Sequence, residues 1–140
     1  MAIWFQPLTA LDLTARSHNT LAHFLGIEFT VIGDDFMTAT MPVLDKVKQP
    51  MGIVHGGGNV VLAETVASTA ANAVVDFKHY YCVGLEINAN HLRPVREGMI
   101  TATTYPLHLG KTTQVWQIDL FNDEGKRSCV SRMTASVIRR

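Results

Sequence analysis

The sequence predicts an α+β fold in which an antiparallel sheet of about six strands wraps around one long central helix. One apolar helical segment, residues 58 to about 77, stands among strand-like segments that short turns connect. Strands joined by short turns pair antiparallel, and a single apolar helix is buried most simply when the sheet curls around it. The 140 residues, 47% apolar and 17% charged, are expected to form one globular domain, residues 1–140.

The segments before the long helix are predicted as two short helices and a hairpin. Their ranges are residues 8–15, 20–25, 27–32 and 36–41. Thr9 and Asp12 have the spacing of a helix-capping pair, and Gly26 is placed to end the second helix. Residues 43–55 are expected to form a loop.

Alternating apolar and polar residues predict the strands that follow the helix. Their ranges are residues 81–90, 100–107, 112–121 and 127–138. In the first of them, Val83, Leu85, Ile87 and Ala89 would share one face. Pro106 falls near the end of its strand, which predicts a sheet edge or a bulge there.

One side of the long helix combines small polar groups with a single carboxylate. At about 100° per residue, Glu64, Thr65, Ser68, Thr69 and Asn72 share this side. Solvated helix faces usually carry more Lys, Arg and Glu. The stripe therefore favours a pocket floor or a contact with another helix, with a face in water as the alternative. Glu64 is the candidate base in such a pocket.

Four residues, His55-Gly56-Gly57-Gly58, lead into this helix. Glycines let the backbone approach a ligand, and the first helical N–H groups carry partial positive charge. Such an end can bind a phosphate or the developing oxyanion of an acyl transfer; a plain tight loop is the alternative. A P-loop is excluded, because Asn59 and Val60 stand where it needs Lys and Ser or Thr.

The spacing of the two features predicts a site between two copies of the chain. Seven residues separate Gly57 from Glu64, which is about 10 Å along the helix axis. One carbonyl group cannot contact both ends of that span. Two helices packed antiparallel about a two-fold axis would bring the glycines of one chain to Glu64 of the other.

Three stretches of the sequence, "KQPMGIVHGGGNVVLAETVAS", "VGLEINANHLRPVREG" and "PLHLGKTTQVWQIDLFNDEGKRSCVSRMT", resemble the hotdog-fold acyl-CoA thioesterases. Within that family they are most similar to the hydroxybenzoyl-CoA and 1,4-dihydroxy-2-naphthoyl-CoA type of menaquinone biosynthesis and to its enterobactin-proofreading paralogue. The similarity covers almost the whole chain, from "IWFQPLTALDL" to "ASVI".

This resemblance implies a six-stranded hotdog sheet, dimers paired into tetramers, and acyl-CoA hydrolysis without a metal or other cofactor. It implies that Glu64 is the catalytic carboxylate, acting as nucleophile or general base. Gln49 and His55 would orient the thioester carbonyl, and the Gly56 N–H would polarise it. Ser68 would help to place the attacking water. Glu64 and Ser68 would come from the opposite chain.

The resemblance also implies a set of substrate and CoA contacts. These residues are Gly84, His91, Leu92, Arg93, Pro94, His108, Leu109, Gly110, Lys111, Thr112 and Thr113. The chain departs from the family near the acyl pocket, where Gly58-Asn59 replaces a common Ala-Ser, Met51 a Phe and Ala67 a Gly. Aromatic or hydroxyaromatic acyl groups are expected, and the particular acyl group stays open.

Composition and motifs exclude several other classes. A net charge of zero gives no reason to expect nucleic acid or an anionic membrane as partner. Without a signal peptide or an apolar run of about 18 residues, a cytoplasmic protein is expected. Cys82 and Cys129 are expected to be reduced, buried thiols. The six histidines lack HxxxH spacing, so no metal site is predicted. The sequence also lacks a G-x-S-x-G motif, so a Ser-His-Asp hydrolase is not expected.

Two alternatives to acyl-CoA hydrolysis stay open. The substrate could be an acyl carrier protein thioester, or the domain could bind acyl-CoA without hydrolysing it. The presence of Glu64 argues against the binding module, because a binder needs no base in its pocket.

Overall fold

The computed structural model describes residues 1–140 and contains three α-helices and one six-stranded sheet. In chain order the elements are α1 (Ala10–Arg16), α2 (Leu21–Phe24), β1 (Glu28–Ile32), β2 (Met37–Pro42), a 3-10 turn (Asp45–Val47), α3 (Gly56–Ala73), β3 (Tyr80–His91), β4 (Met99–Leu109), β5 (Thr113–Phe121) and β6 (Arg127–Arg139).

Every neighbouring pair of strands is antiparallel, in the order β1-β2-β4-β5-β6-β3. Helix α3 packs against strands β2 to β6. Its buried residues, among them Leu62, Val66 and Ala70, join the apolar core with Trp116, Ile118 and Met133 of the sheet. The predicted sheet around a central helix is therefore confirmed.

The two short helices begin at capping residues. The Thr9 side chain accepts a hydrogen bond from the Asp12 N–H, as the spacing predicted, and the Thr20 side chain caps α2 in the same way. Gly26 has φ +72, a conformation that favours glycine, and it ends α2 before β1 begins. Residues of both short helices line a cavity over one side of α3.

Helix α3 begins and ends earlier than predicted. His55 is its N-cap, so the glycines form the first helical turn instead of a loop before residue 58. The helix ends at Ala73 because Asp76 organises a turn just beyond it. The Asp76 carboxylate accepts the Lys78 N–H at 3.0 Å and contacts His79 at 2.8 Å. Such local side-chain bonds compete with continued helix.

A bulge divides strand β3 into two segments of opposite phase. The pairing with β6 shifts between Gly84 and Glu86, so an extra residue, Leu85, enters the strand. Cys82 faces the core before the bulge, and Ile87 packs against the core after it. The prediction that Val83, Leu85, Ile87 and Ala89 share one face is wrong: Val83 and Leu85 are 39% and 65% exposed, whereas Ile87 and Ala89 pack against the core.

A second bulge lies in β4, between Pro106 and His108, in its pairing with β5. This strand lies inside the sheet, with β2 on its other side, so the proline marks a bulge and not an edge. The edges are β1 and β3.

Asn72 ties helix α3 to the edge strand β3. Its side-chain oxygen accepts the Cys82 N–H at 2.8 Å, and its side-chain nitrogen donates to the Cys82 carbonyl at 3.1 Å. Both backbone groups of Cys82 would lose these partners if the amide were removed.

We therefore predict that Asn72→Ala lowers the free energy of unfolding by about 2 kcal/mol, measured by urea denaturation. Asn88→Ala is the control, because the exposed Asn88 amide contacts only the Glu86 carboxylate, at 3.2 and 3.3 Å. The control should change stability by less than about 0.5 kcal/mol. Equal effects of the two substitutions would contradict the role given to Asn72.

Candidate active site

Four of the five predicted catalytic residues line two separate cavities that share no lining residue, and the fifth, His55, lines neither. Glu64 and Ser68 line the first cavity, of about 810 Å³. Gln49 and Gly56 line the second, of about 460 Å³. Within one chain, therefore, the fold does not bring the predicted base to the predicted carbonyl-binding groups.

The polar side of α3 forms the floor of the first cavity. All five stripe residues line it: Glu64, Thr65, Ser68, Thr69 and Asn72. The opposite wall comes from the N-terminal segment and the short helices, through Gln6, Leu8, Leu13, Arg16, Ser17, Thr20 and Ala22. The interpretation of the stripe as a pocket floor is confirmed. The wall residues carried no sequence signal of this role, because their position depends on tertiary packing, in which α1 packs against β1 and α2 contacts α3.

Glu64 lies halfway along α3, partly buried, with its carboxylate against strand β3. A Cβ added at Gly84 would overlap with Glu64 Oε1. The Glu64 carboxylate can occupy this position because Gly84 has no side chain. Gly84 therefore lies on the same side of the molecule as Glu64 and the first cavity. One helical turn beyond, Ser68 is also partly buried and lines the same cavity.

The first turn of α3 leaves one backbone donor free. The Gly57 N–H donates to His55 Nδ1 at 2.8 Å, and the N–H groups of Gly58 and Asn59 both donate to the His55 carbonyl, at 2.8 and 3.2 Å. Gly56 N–H has no acceptor within the chain. This N–H lies at the positive end of the helix and at the second cavity, where an oxyanion could accept its hydrogen bond.

Gln49 and His55 each keep a donor free as well. Gln49 Oε1 accepts the Met51 N–H, which leaves the side-chain NH₂ group without a protein acceptor. His55 Nδ1 is occupied as an acceptor, so the neutral ring carries its proton on Nε2. The loop that holds Gln49 is fixed by a bridge between Lys48 and Val54. These donors and the Gly56 N–H are suited to a carbonyl oxygen.

The predicted substrate and CoA contacts divide in the same way. His91, Arg93 and Pro94 line the second cavity, whereas the exposed Leu92 does not. The other group lies near Glu64: Gly84 pairs with Ala135, and Ala135 pairs with Gln114, next to Thr113. The remaining predicted contacts form one segment at that end of the sheet: His108 and Leu109 end β4, Gly110, Lys111 and Thr112 form the turn, and Thr113 begins β5. This segment lines neither cavity within one chain.

The structure provides neither a reactive cysteine nor a cluster of metal-binding side chains. Burial raises the pKa of Cys82 and of Cys129 to about 11, so both thiols are protonated at neutral pH and are poor nucleophiles. The structure contains no group of three or more His, Cys, Asp or Glu side chains that could hold a metal ion. No helix has the length and apolar character needed to span a membrane.

Comparison with known proteins decides the family. Residues 51–129, more than half of the chain, match the model described as the thioesterase superfamily. The chain belongs to the thioesterase superfamily. It is an enzyme of the thioester-hydrolase class, and its sheet and central helix are those of the hotdog thioesterases.

Relatives resemble this thioesterase over nearly their whole length. The 1,4-dihydroxy-2-naphthoyl-CoA hydrolase of Escherichia coli is 45% identical over 136 residues, 97% of this chain and 99% of the relative. The proofreading thioesterase EntH of Cronobacter turicensis is 42% identical, covering 97% and 98%. The crystal structure of a mutant thioesterase from Pseudomonas aeruginosa superimposes with a TM-score of 0.98 at 45% identity, covering 99% and 100%.

His55 offers a way to separate capping from chemistry in this thioesterase. His55→Ala removes the acceptor of the Gly57 N–H and should lower the free energy of unfolding by about 1 kcal/mol. His55→Asn restores a good N-cap and should keep wild-type stability. Both variants lose the Nε2–H donor, so both should lose turnover, measured as thiol release from benzoyl-CoA. Full activity of His55→Asn would show that the ring acts only as a cap.

Proposed function

We propose that the protein hydrolyses acyl-CoA thioesters with aromatic or hydroxyaromatic acyl groups, at sites formed between two copies of the chain. One copy supplies the Gly56 N–H, Gln49 and His55, and the other supplies Glu64 and Ser68. The observation that carries the proposal is the single unpaired N–H at the start of α3. It lies at a cavity without a carboxylate, while the only carboxylate of the helix lines a different cavity.

The chemistry follows from these donors. The thioester carbonyl accepts hydrogen bonds from the Gly56 N–H and from the free donors of Gln49 and His55. Negative charge on this oxygen in the tetrahedral state is stabilised by donors that are already in place. Glu64 takes a proton from a water that Ser68 helps to position, and the water oxygen bonds to the carbonyl carbon. The C–S bond then breaks, the CoA thiolate takes the proton held by Glu64, which restores the carboxylate, and the free acid remains.

Glu64 can also act as the nucleophile. Its carboxylate would then displace CoA to give a mixed anhydride, which water cleaves to restore the carboxylate. Incorporation of ¹⁸O into Glu64 during a single turnover in H₂¹⁸O identifies the anhydride route. Attack by water leaves no label on Glu64, whereas hydrolysis of an anhydride at the Glu64 carbon places ¹⁸O in the enzyme.

The lining of the first cavity supports a polar aromatic acyl group. Its lining combines hydroxyl and amide side chains and the Arg16 guanidinium with apolar side chains such as Leu13 and Phe77. The polar groups would bind ring hydroxyls better than a long alkyl chain. The Escherichia coli relative is named for a dihydroxynaphthoyl-CoA substrate. We therefore include 1,4-dihydroxy-2-naphthoyl-CoA, and with it a step of menaquinone biosynthesis in the cytoplasm, among the candidate substrates and roles.

The division of CoA contacts supports the same assembly. His91, Arg93 and Pro94 would lie at one copy's carbonyl-binding groups, and Gly84 with the His108–Thr113 turn at the other copy's Glu64. A two-fold dimer then contains two equivalent sites, each with residues of both chains. Pairing of such dimers into tetramers is part of the proposal.

Replacing the base tests the activity itself. Glu64→Gln keeps the shape and should reduce kcat by about 10²–10⁴-fold on the best substrate of a screen of aromatic and aliphatic acyl-CoAs and acyl carrier protein thioesters. Size-exclusion chromatography should show the wild-type oligomer. Wild-type turnover in this variant would refute the mechanism. Saturable binding of acyl-CoAs by the unchanged protein, without CoA release, would favour the non-hydrolytic module.

Mixing two inactive variants tests the shared site. Glu64→Ala and Gln49→Ala, each purified alone, should have little activity. When they are refolded together in equal amounts, half of the dimers contain one of each, and each such dimer has one intact site. The mixture should recover about a quarter of the wild-type rate. Recovery would be absent if both halves of the site came from one chain.

A further inference from the structure

We propose that Asn59 is a positioning residue, which fixes the tautomer of His91 so that its Nε2–H is a further donor beside the Gly56 N–H. The inference rests on the proposed function, because the donor acts on the thioester carbonyl bound there. Asn59 has no other part in the proposed site, and it stands where the family often has a serine.

The hydrogen bond between the two side chains determines where the His91 proton lies. Asn59 Nδ2 is 3.1 Å from His91 Nδ1. An amide nitrogen only donates, so Nδ1 is the acceptor and the neutral ring carries its proton on Nε2. Asn59 is only 5% exposed, so helix α3 holds the donor in a fixed position.

The ring places this proton at the carbonyl-binding end of the helix. A Cβ added at Gly56 would lie 3.0 Å from His91 Nε2, so the protonated ring nitrogen lies directly against the residue whose N–H is free. Asn59, His91, Gly56 and Gln49 all line the second cavity. The buried Asn59 amide thus contacts the exposed His91 ring, and the ring lies against Gly56 at the start of α3.

The remaining polar atom of the amide makes no hydrogen bond within the chain. Asn59 Oδ1 is buried and has no hydrogen-bond partner. A buried, unpaired carbonyl oxygen destabilises the folded state. The one hydrogen bond that the Asn59 side chain makes goes to His91. The unpaired Oδ1 of Asn59 is therefore unfavourable for stability, whereas its Nδ2 orients the His91 ring.

The first test reads the tautomer directly by ¹⁵N NMR of the histidine rings. The His91 signals are identified by their loss in His91→Ala. In the unchanged protein we expect Nε2 protonated and Nδ1 unprotonated. In Asn59→Asp, a carboxylate that only accepts faces the ring, so Nδ1 should gain a proton. Protonated Nδ1 in the unchanged protein, or unprotonated Nδ1 in Asn59→Asp, would overturn the inference.

The second test is kinetic and uses a double-mutant cycle. Asn59→Ser should lower kcat about tenfold and change KM less than about twofold. This loss of kcat is smaller than the loss expected when an oxyanion donor is removed completely. Its melting temperature should equal or exceed that of the unchanged protein. If Asn59 acts only through His91, adding Asn59→Ser to His91→Ala should cost no further activity. Additive losses of activity in the double variant would overturn the inference. Asn88→Ser is the matched control, and its kinetics should be unchanged.

The outcomes separate this inference from the proposed function. If Glu64→Gln kept full turnover, the proposed mechanism would fail whatever the His91 ring showed. If Glu64→Gln were inactive but Asn59→Ser had wild-type kcat, only the role of Asn59 would be wrong.

Discussion

The hydrogen bond from the Gly57 N–H to His55 Nδ1 is the interaction on which the arrangement of the site depends. It makes His55 the N-cap of α3 and places three glycines in the first helical turn. The His55 carbonyl takes the next two N–H groups, so the Gly56 N–H alone stays free. The same bond fixes the tautomer of the ring. One capping interaction thus prepares a backbone donor and a side-chain donor together.

The geometry of a helix then explains why the site is divided. Glu64 is eight residues after Gly56, about 12 Å along the axis, so no rotation of side chains can unite it with the helix start. The sheet repeats this separation. Gly84 contacts Glu64, whereas His91, seven residues further along β3, contacts Gly56. The two groups of predicted substrate contacts therefore lie at different points along α3, one by the first turn and one by Glu64.

Much of the fold was predictable because the relevant signals are local. The capping pair of Thr9 and Asp12, the positive-φ Gly26 and the period-two strands each depend on neighbouring residues, and each was found at or near its predicted position. The errors came from interactions between distant or competing groups. Asp76 ended α3 early by binding the Lys78 N–H. The bulge at Leu85, set by pairing with β6, reversed the faces of Val83 and Leu85.

The sequence by itself determined the family, the apolar helix with one carboxylate, and the distance that separates Glu64 from the glycines. These follow from residue identity and the fixed rise of a helix. Only the tertiary structure decided that α1 and α2 enclose a cavity over the polar stripe, that Gly84 makes room for the carboxylate, and that the ring of His91 lies between Asn59 and Gly56. Such contacts join residues 20 or more positions apart, where side-chain packing and not local propensity sets the partner.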